Sequence, residues 1–137
     1  MKQLTLIIIV SLLLPSCQKT IEKKAEDAII KAMTDGRWVI TNFTTSGTDI
    51  TPDFMDYKFQ YYSDYTVSAI KNGQVEKTGT WQGDAVAMTI TANFANAINP
   101  IALLNGTWHI TDNRWTYVRA TMTVGTEVRT LRLDKVP

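Results

Sequence analysis

One cysteine and one histidine stand in a chain of 137 residues. A single thiol excludes an intramolecular disulfide framework and any thiolate-rich metal site, and a lone imidazole excludes the multi-histidine metal centres. Charge of one sign is also missing: 14 basic side chains face 13 acidic ones. A protein that works by neutralising phosphates carries a basic excess, so a nucleic-acid partner is not expected. No apolar run reaches the roughly 20 residues that a membrane-crossing helix needs. Gly-x-Ser-x-Gly, His-Glu-x-x-His, phosphate-loop and dinucleotide patterns do not occur. No cofactor, metal or enzymatic activity is expected. What remains, 45% hydrophobic and 20% charged, is the composition of one globular domain.

Two segments precede that domain. Met1-Lys2-Gln3 opens the chain, and Leu4 to Leu14 holds nine apolar residues in eleven before Pro15, Ser16 and Cys17. The run is too short to span a bilayer and suits the apolar region of a secretory leader. Residues 1–16 are therefore expected to be a signal peptide. Losing them removes only Lys2 of the charged residues, which leaves 13 basic against 13 acidic residues in 17–137. Residues 17–35 form the second segment. Ile21, Ala25, Ala28, Ile29, Ala32 and Met33 recur at helical spacing among charged neighbours. Thr20 suits the helix start and Gly36 its end, and the narrow stripe is expected to pack on the domain C-terminal to it.

From residue 36 the pattern changes. All thirteen aromatic residues lie between Trp38 and Tyr117, and apolar positions alternate with polar ones. Eight strands are expected, at about 37–44, 57–62, 65–71, 74–82, 85–92, 106–111, 114–122 and 127–135. Asn72-Gly73 is the clearest hairpin turn, because a type I′ turn needs positive φ at both central residues. Further turns are expected at 63–64, 83–84, 112–113 and 123–126. Asn99-Pro100 ahead of Ile101-Ala102-Leu103-Leu104 predicts a short helix between strands five and six. Sequential antiparallel strands joined by tight turns favour an eight-stranded up-and-down barrel over a sandwich, since closure removes the sheet edges. Strand parity then puts the long connections 45–56 and 93–105 at one rim, with the helix at the other.

Leu14-Pro15-Ser16-Cys17 resembles the lipobox of bacterial lipoproteins, and Gly36-Arg37-Trp38 resembles the Gly-x-Trp signature on the first strand of lipocalins. Gly79-Thr80-Trp81 and Gly106-Thr107-Trp108 repeat that pattern. The chain is thus similar to small lipocalin-like envelope lipoproteins over residues 36–137. The resemblance implies acylation of Cys17 by two or three palmitate-like chains and a membrane partner, with location in the bacterial envelope at the outer membrane. It also implies a barrel whose closed end is plugged by Trp38 under an arginine of the last strand, for which Arg132 is the candidate. Two functions stay open. One is binding of a small, mainly apolar ligand at an open mouth, with Asn42, Phe54, Tyr57, Phe59, Ile98, Leu103, His109 and Tyr117 as candidate lining. The other is a filled barrel acting as a non-enzymatic adaptor or inhibitor that docks an envelope protein.

Overall fold

The computed structural model describes residues 16–137; the leader expected over residues 1–16 thus falls almost wholly outside the described residues. Helix α1 runs Ser16–Thr34. It starts before the expected Thr20 and stops where Gly36 takes φ +80°, a left-handed turn that glycine makes without steric cost. Only its last turns dock. Met33 is buried and Ile29 and Ile30 pack against the core, whereas Ile21 is largely exposed. The stripe expected to pack on the domain is therefore covered at its C-terminal end. The twelve helical steps from Cys17 to Ile29 span about 18 Å at 1.5 Å per residue.

The strands come in order: β1 Arg37–Thr45, β2 Thr48–Asp49, β3 Tyr57–Tyr61, β4 Thr66–Lys71, β5 Gln74–Asp84, β6 Thr89–Asn93, β7 Gly106–Arg114, β8 Tyr117–Val124 and β9 Glu127–Val136. Neighbours pair antiparallel in the order β2-β1-β3-β4-β5-β6-β7-β8-β9, and β1 also pairs with β9. Setting aside the two-residue β2, which folds back on the end of β1, this is a closed eight-stranded up-and-down barrel. The circuit leaves no room for a sandwich. Its seam has two unequal halves. From Arg37↔Val136 to Thr45↔Arg129, β1 follows β9 along its length, but it meets β3 only at Trp38↔Phe59. Beyond that point the 3-10 turn Thr51–Phe54 covers the gap. Phe43 N donates to Thr51 Oγ1 at 2.9 Å, and Ile50 N to Phe43 O at 2.9 Å.

Three connections differ from expectation. Residues 85–88 are a turn and not the start of a strand, because Asp84 Oδ1 accepts the Val86 and Ala87 N–H groups at 3.0 Å. The β7–β8 hairpin turns at Trp115-Thr116, since pairing continues through Asn113↔Val118 and Arg114↔Tyr117. The helix expected after Asn99-Pro100 is one 3-10 turn, Ile101–Leu104. There Asn105 clasps the backbone of Phe94, accepting its N–H at 2.6 Å and donating to its carbonyl at 3.1 Å. That clasp returns the chain to extended geometry before β7.

Alternate residues of each strand fill the interior. Phe54, Phe43 and Trp108 follow one another at ring separations of 4.9 and 5.7 Å, and Tyr57, Phe59 and Phe94 continue the series at 6.2 and 6.5 Å. Glycine makes room for this packing. A Cβ on Gly79 would lie 2.5 Å from the Asn93 carbonyl oxygen and 2.7 Å from the Phe94 ring. Overpacking against backbone is not relieved by a rotamer change. Gly79→Ala is therefore expected to destabilise the fold by about 1–3 kcal/mol, read as a lower urea midpoint at unchanged slope. A midpoint equal to the parent's would show that β5 and β6 separate without cost.

Candidate functional site

The antiparallel order puts both long connections at one end of the barrel, opposite α1. Each folds inward. Phe54 from residues 46–56, and Ile101 and Leu104 from residues 94–105, are buried in the core. The mouth is consequently shut by side chains of its own rim. Arg129, near the start of β9, secures this closure: Nη1 donates to Leu103 O at 3.1 Å, and Nε meets Glu127 at 2.8 Å. Asp49 accepts both the N–H and the hydroxyl of Thr51, and the Thr51 hydroxyl, followed by its N–H, holds that carboxyl below its ordinary range. Asp49 thus shapes its loop. No group of side chains suited to a metal occurs among the described residues.

Beside the closed mouth lies an open groove of about 440 Å³, lined by Tyr57, Lys71, Glu76, Lys77, Ile98 and Ile101 among others. The Tyr57 hydroxyl donates to the Glu76 carboxylate. Burial first, and then that carboxylate, push the phenol up to about 12. The Lys71 ammonium stands 5.4 Å from the centre of the Tyr57 ring. The groove is therefore mixed in character, with ammonium, carboxylate and amide groups set against one apolar wall.

The eight mouth candidates do not converge. Phe54, Tyr57 and Phe59 belong to the core, Leu103 is partly buried at the rim, and Ile98 is 84% exposed at the loop tip. Asn42 faces outward. Parity from Trp38 and Ile40 aims it inside, but a bulge between Ile40 and Asn42 shifts the alternation by one residue and sends Phe43 in. His109 and Tyr117 also lie on the outer wall, next to the inward Trp108 and Val118. His109 has Thr89 and Thr121 as cross-strand neighbours.

At the opposite end Trp38 takes the plugging position the resemblance implied. It is fully buried, and its indole N–H donates to Met33 O at 2.9 Å. Trp81 and Trp108 behave alike, donating to Tyr62 O and Leu104 O, so each Gly-x-Trp tryptophan ties a connection to the barrel. The cation over Trp38 is Lys135, not Arg132. Arg132 alternates with the inward Leu131 and Leu133 and so faces outward. There it holds Asp134 through two contacts of 2.8 and 3.0 Å and stands 4.5 Å from the Tyr117 ring centre. Lys135 shares the parity of Leu131 and Leu133. Its ammonium lies 5.0 Å from the Trp38 ring centre and 4.2 Å from that of Trp115, and donates to Ala32 O at 2.9 Å. The signal for it was in the alternation of the last strand. Glu76, Lys77 and Asn105 had no comparable signal, because a groove or clasp between distant segments leaves no local pattern.

No family model matches the chain, and no curated protein matches it. Among solved structures it is similar to a DUF4847 family protein from Bacteroides vulgatus, with a TM-score of 0.55 and 11% identity over 77% of this chain and 96% of that one. At that identity the likeness concerns the fold.

The two cations of β9 separate experimentally. Lys135→Met removes a charge-assisted hydrogen bond and the cation over two indoles. It is expected to cost about 1–3 kcal/mol and to raise amide exchange at residues 29–34. Arg132→Met, at a solvated pair, is expected to leave that exchange unchanged. Its partner Asp134 is held below the ordinary carboxyl range, chiefly by the Arg132 hydrogen bond. The stabilisation is present above the unfolded pKa and is lost as pH falls through the folded one. Asp134→Asn should accordingly flatten the acid limb of a stability–pH curve.

Proposed function

We propose that the protein is a lipid-anchored component of a bacterial envelope, at the outer membrane, whose filled barrel is a non-enzymatic interaction module. Acylated Cys17 holds it, and the rim of long connections meets another envelope protein. The observation that carries this reading is the state of the barrel itself. Trp38 and Phe54, at opposite ends, belong to one hydrophobic core, and the mouth is closed by Phe54, Ile101 and Leu104. A binding function is therefore argued from the outside of the molecule. The rim is suited to it, since Met55 and Ile98 stand 76 and 84% exposed on connections fixed by a rigid scaffold, and Val75 stands 58% exposed beside them at the start of β5. Exposed apolar groups of this kind, edged by Lys71, Lys77 and Glu76, fit a protein surface of mixed character.

Cys17 is exposed at the start of α1, and no described helix is long and apolar enough to cross a membrane. The anchor reading therefore rests on the lipobox resemblance. Two or three acyl chains, each methylene contributing about 0.8 kcal/mol, make a stable tether. The small-ligand reading is supported by the groove next to Ile98, which is open on one side and would cover such a ligand only in part.

A photoreactive residue at Met55 or Ile98 in the full chain, expressed in cells, is expected to trap a discrete protein adduct. The same residue at Thr89, on the outer wall, should trap none. Equal labelling at all three sites, or none at the rim, refutes the interaction reading. A persistent small-molecule mass in native spectra would favour the ligand instead. Cys17→Ser should move the protein from membrane to soluble fractions, and continued anchoring refutes the lipid tether.

A further inference from the structure

The exposed large apolar and aromatic side chains of the barrel avoid its walls and gather at its two ends. Met55, Val75, Ile98, Val124 and Val128 mark the rim of long connections. Tyr62, Tyr65, Val86, Met88 and Trp115 mark the end that receives α1. The two sets differ in kind: the exposed aromatic rings, Tyr62, Tyr65 and Trp115, all belong to the second. They sit on successive turns of that end. Residues 62–65 join β3 to β4, residues 85–88 join β5 to β6, and residues 115–116 join β7 to β8. Turns at every second strand junction divide the circumference into similar arcs, with α1 entering beside the fourth junction, between β9 and β1.

Backbone geometry supplies an independent observation at the same turns. Tyr65 and Met88 take φ values of +66° and +55°, a left-handed conformation that bulky side chains rarely adopt. Among the described residues the other non-glycine positions with positive φ are Ser46, Asn72 and Asn96, a small residue and two of the amide type that visits this region. Packing gives a partial reason for Tyr65, whose ring leans on Trp81 at 5.9 Å, yet 48% of Tyr65 and 42% of Met88 remain open to solvent. Trp115 is likewise held in place, by the Lys135 ammonium, while 49% exposed. Large side chains are thus kept outward, at strained or fixed positions, around one end.

We infer that this end is a seat for the membrane interface, with Tyr62, Tyr65, Met88 and Trp115 in the headgroup layer of the bilayer that holds acylated Cys17. The inference rests on the anchor reading above. Tyrosine and tryptophan favour that layer because each has an apolar body and a polar edge. α1 joins the barrel at this end, so the tether keeps these turns near lipid and the contact is intramolecular in effect. The charges nearby, Asp35, Arg37, Asp64, Asp84 and Arg114, are mixed in sign. Attraction to anionic lipid is therefore not the driving term, and seating should persist in high salt. The opposite rim then faces away from the bilayer.

The test uses the acylated full chain, purified from bacterial membranes and reconstituted in phosphatidylethanolamine–phosphatidylglycerol vesicles with acyl chains brominated near the headgroup. Trp38, Trp81 and Trp108 are buried, so contact quenching reports Trp115. Quenching is expected in the parent, at low and high salt, and is lost in Trp115→Phe. In Tyr65→Asn/Met88→Asn, whose new residues accept the left-handed turn, it should fall at least two-fold while the protein stays vesicle-bound. Vesicle-bound protein with unquenched Trp115, or quenching that survives these changes, overturns the seat and leaves the anchor standing. Unmodified Cys17 by mass, with no vesicle binding, overturns the anchor and the seat together. A dimer in sedimentation that the same substitutions dissolve would assign this face to a second copy of the chain instead.

Discussion

Trp38 is the point at which the sheet becomes a barrel. Its backbone pairs with Phe59 of β3 on one side and Lys135 of β9 on the other, and it carries the whole of the β1–β3 ladder. Its indole faces the interior and donates to the last turns of α1 through Met33. Closure of the sheet, sealing of one end and docking of the helix therefore meet in one side chain. Lys135 completes the arrangement from the opposite strand. Its ammonium is over the rings of Trp38 and Trp115 and is bonded to the carbonyl of Ala32. A lysine serves because its flexible stem brings a compact charge to a helix C-terminal end, where the dipole favours a cation.

The weakness of that seam explains the other end. β1 and β3 part above Trp38, and an unpaired edge there would expose backbone groups. The connection between them supplies the missing partners with Thr51 and Ile50 and inserts Phe54 as core. The second long connection does the same for the top of the barrel with Ile101, Leu104 and the Asn105 clasp. Length in these segments is thus spent on closing the fold as well as on forming a rim. The interior is left full, so the recognition we propose uses the surfaces of the two ends. Their composition differs, aliphatic side chains and a charged groove at one and aromatic rings at the other, which fits the proposed orientation between a partner and a bilayer.

Much of this architecture was legible in the sequence, because it depends on local patterns. Alternation of apolar residues marked the strands, Asn72-Gly73 marked its hairpin, and Gly36 marked the end of α1. Strand parity alone placed residues 45–56 and 93–105 at one end, since each antiparallel step reverses direction. The misplaced turns had local causes too: the Asp84 side chain that closes residues 85–88 competes with strand geometry, and its success depends on β6 starting late enough to meet His109 and Trp108 of β7.

The amino-acid sequence by itself determined the class of fold, the order of its strands and the polarity of the barrel, since periodicity of two and turn chemistry act within a few residues. Tertiary structure alone decided which side chains face a common space. The bulge beside Asn42 reverses the parity of β1 because it answers the hydrogen-bond register of β9. The groove from Tyr57 to Ile101 exists because segments distant in the sequence are closed onto each other. The filling of the barrel follows from two connections turning inward, which is settled by the volume left between strands and not by any pattern along the chain.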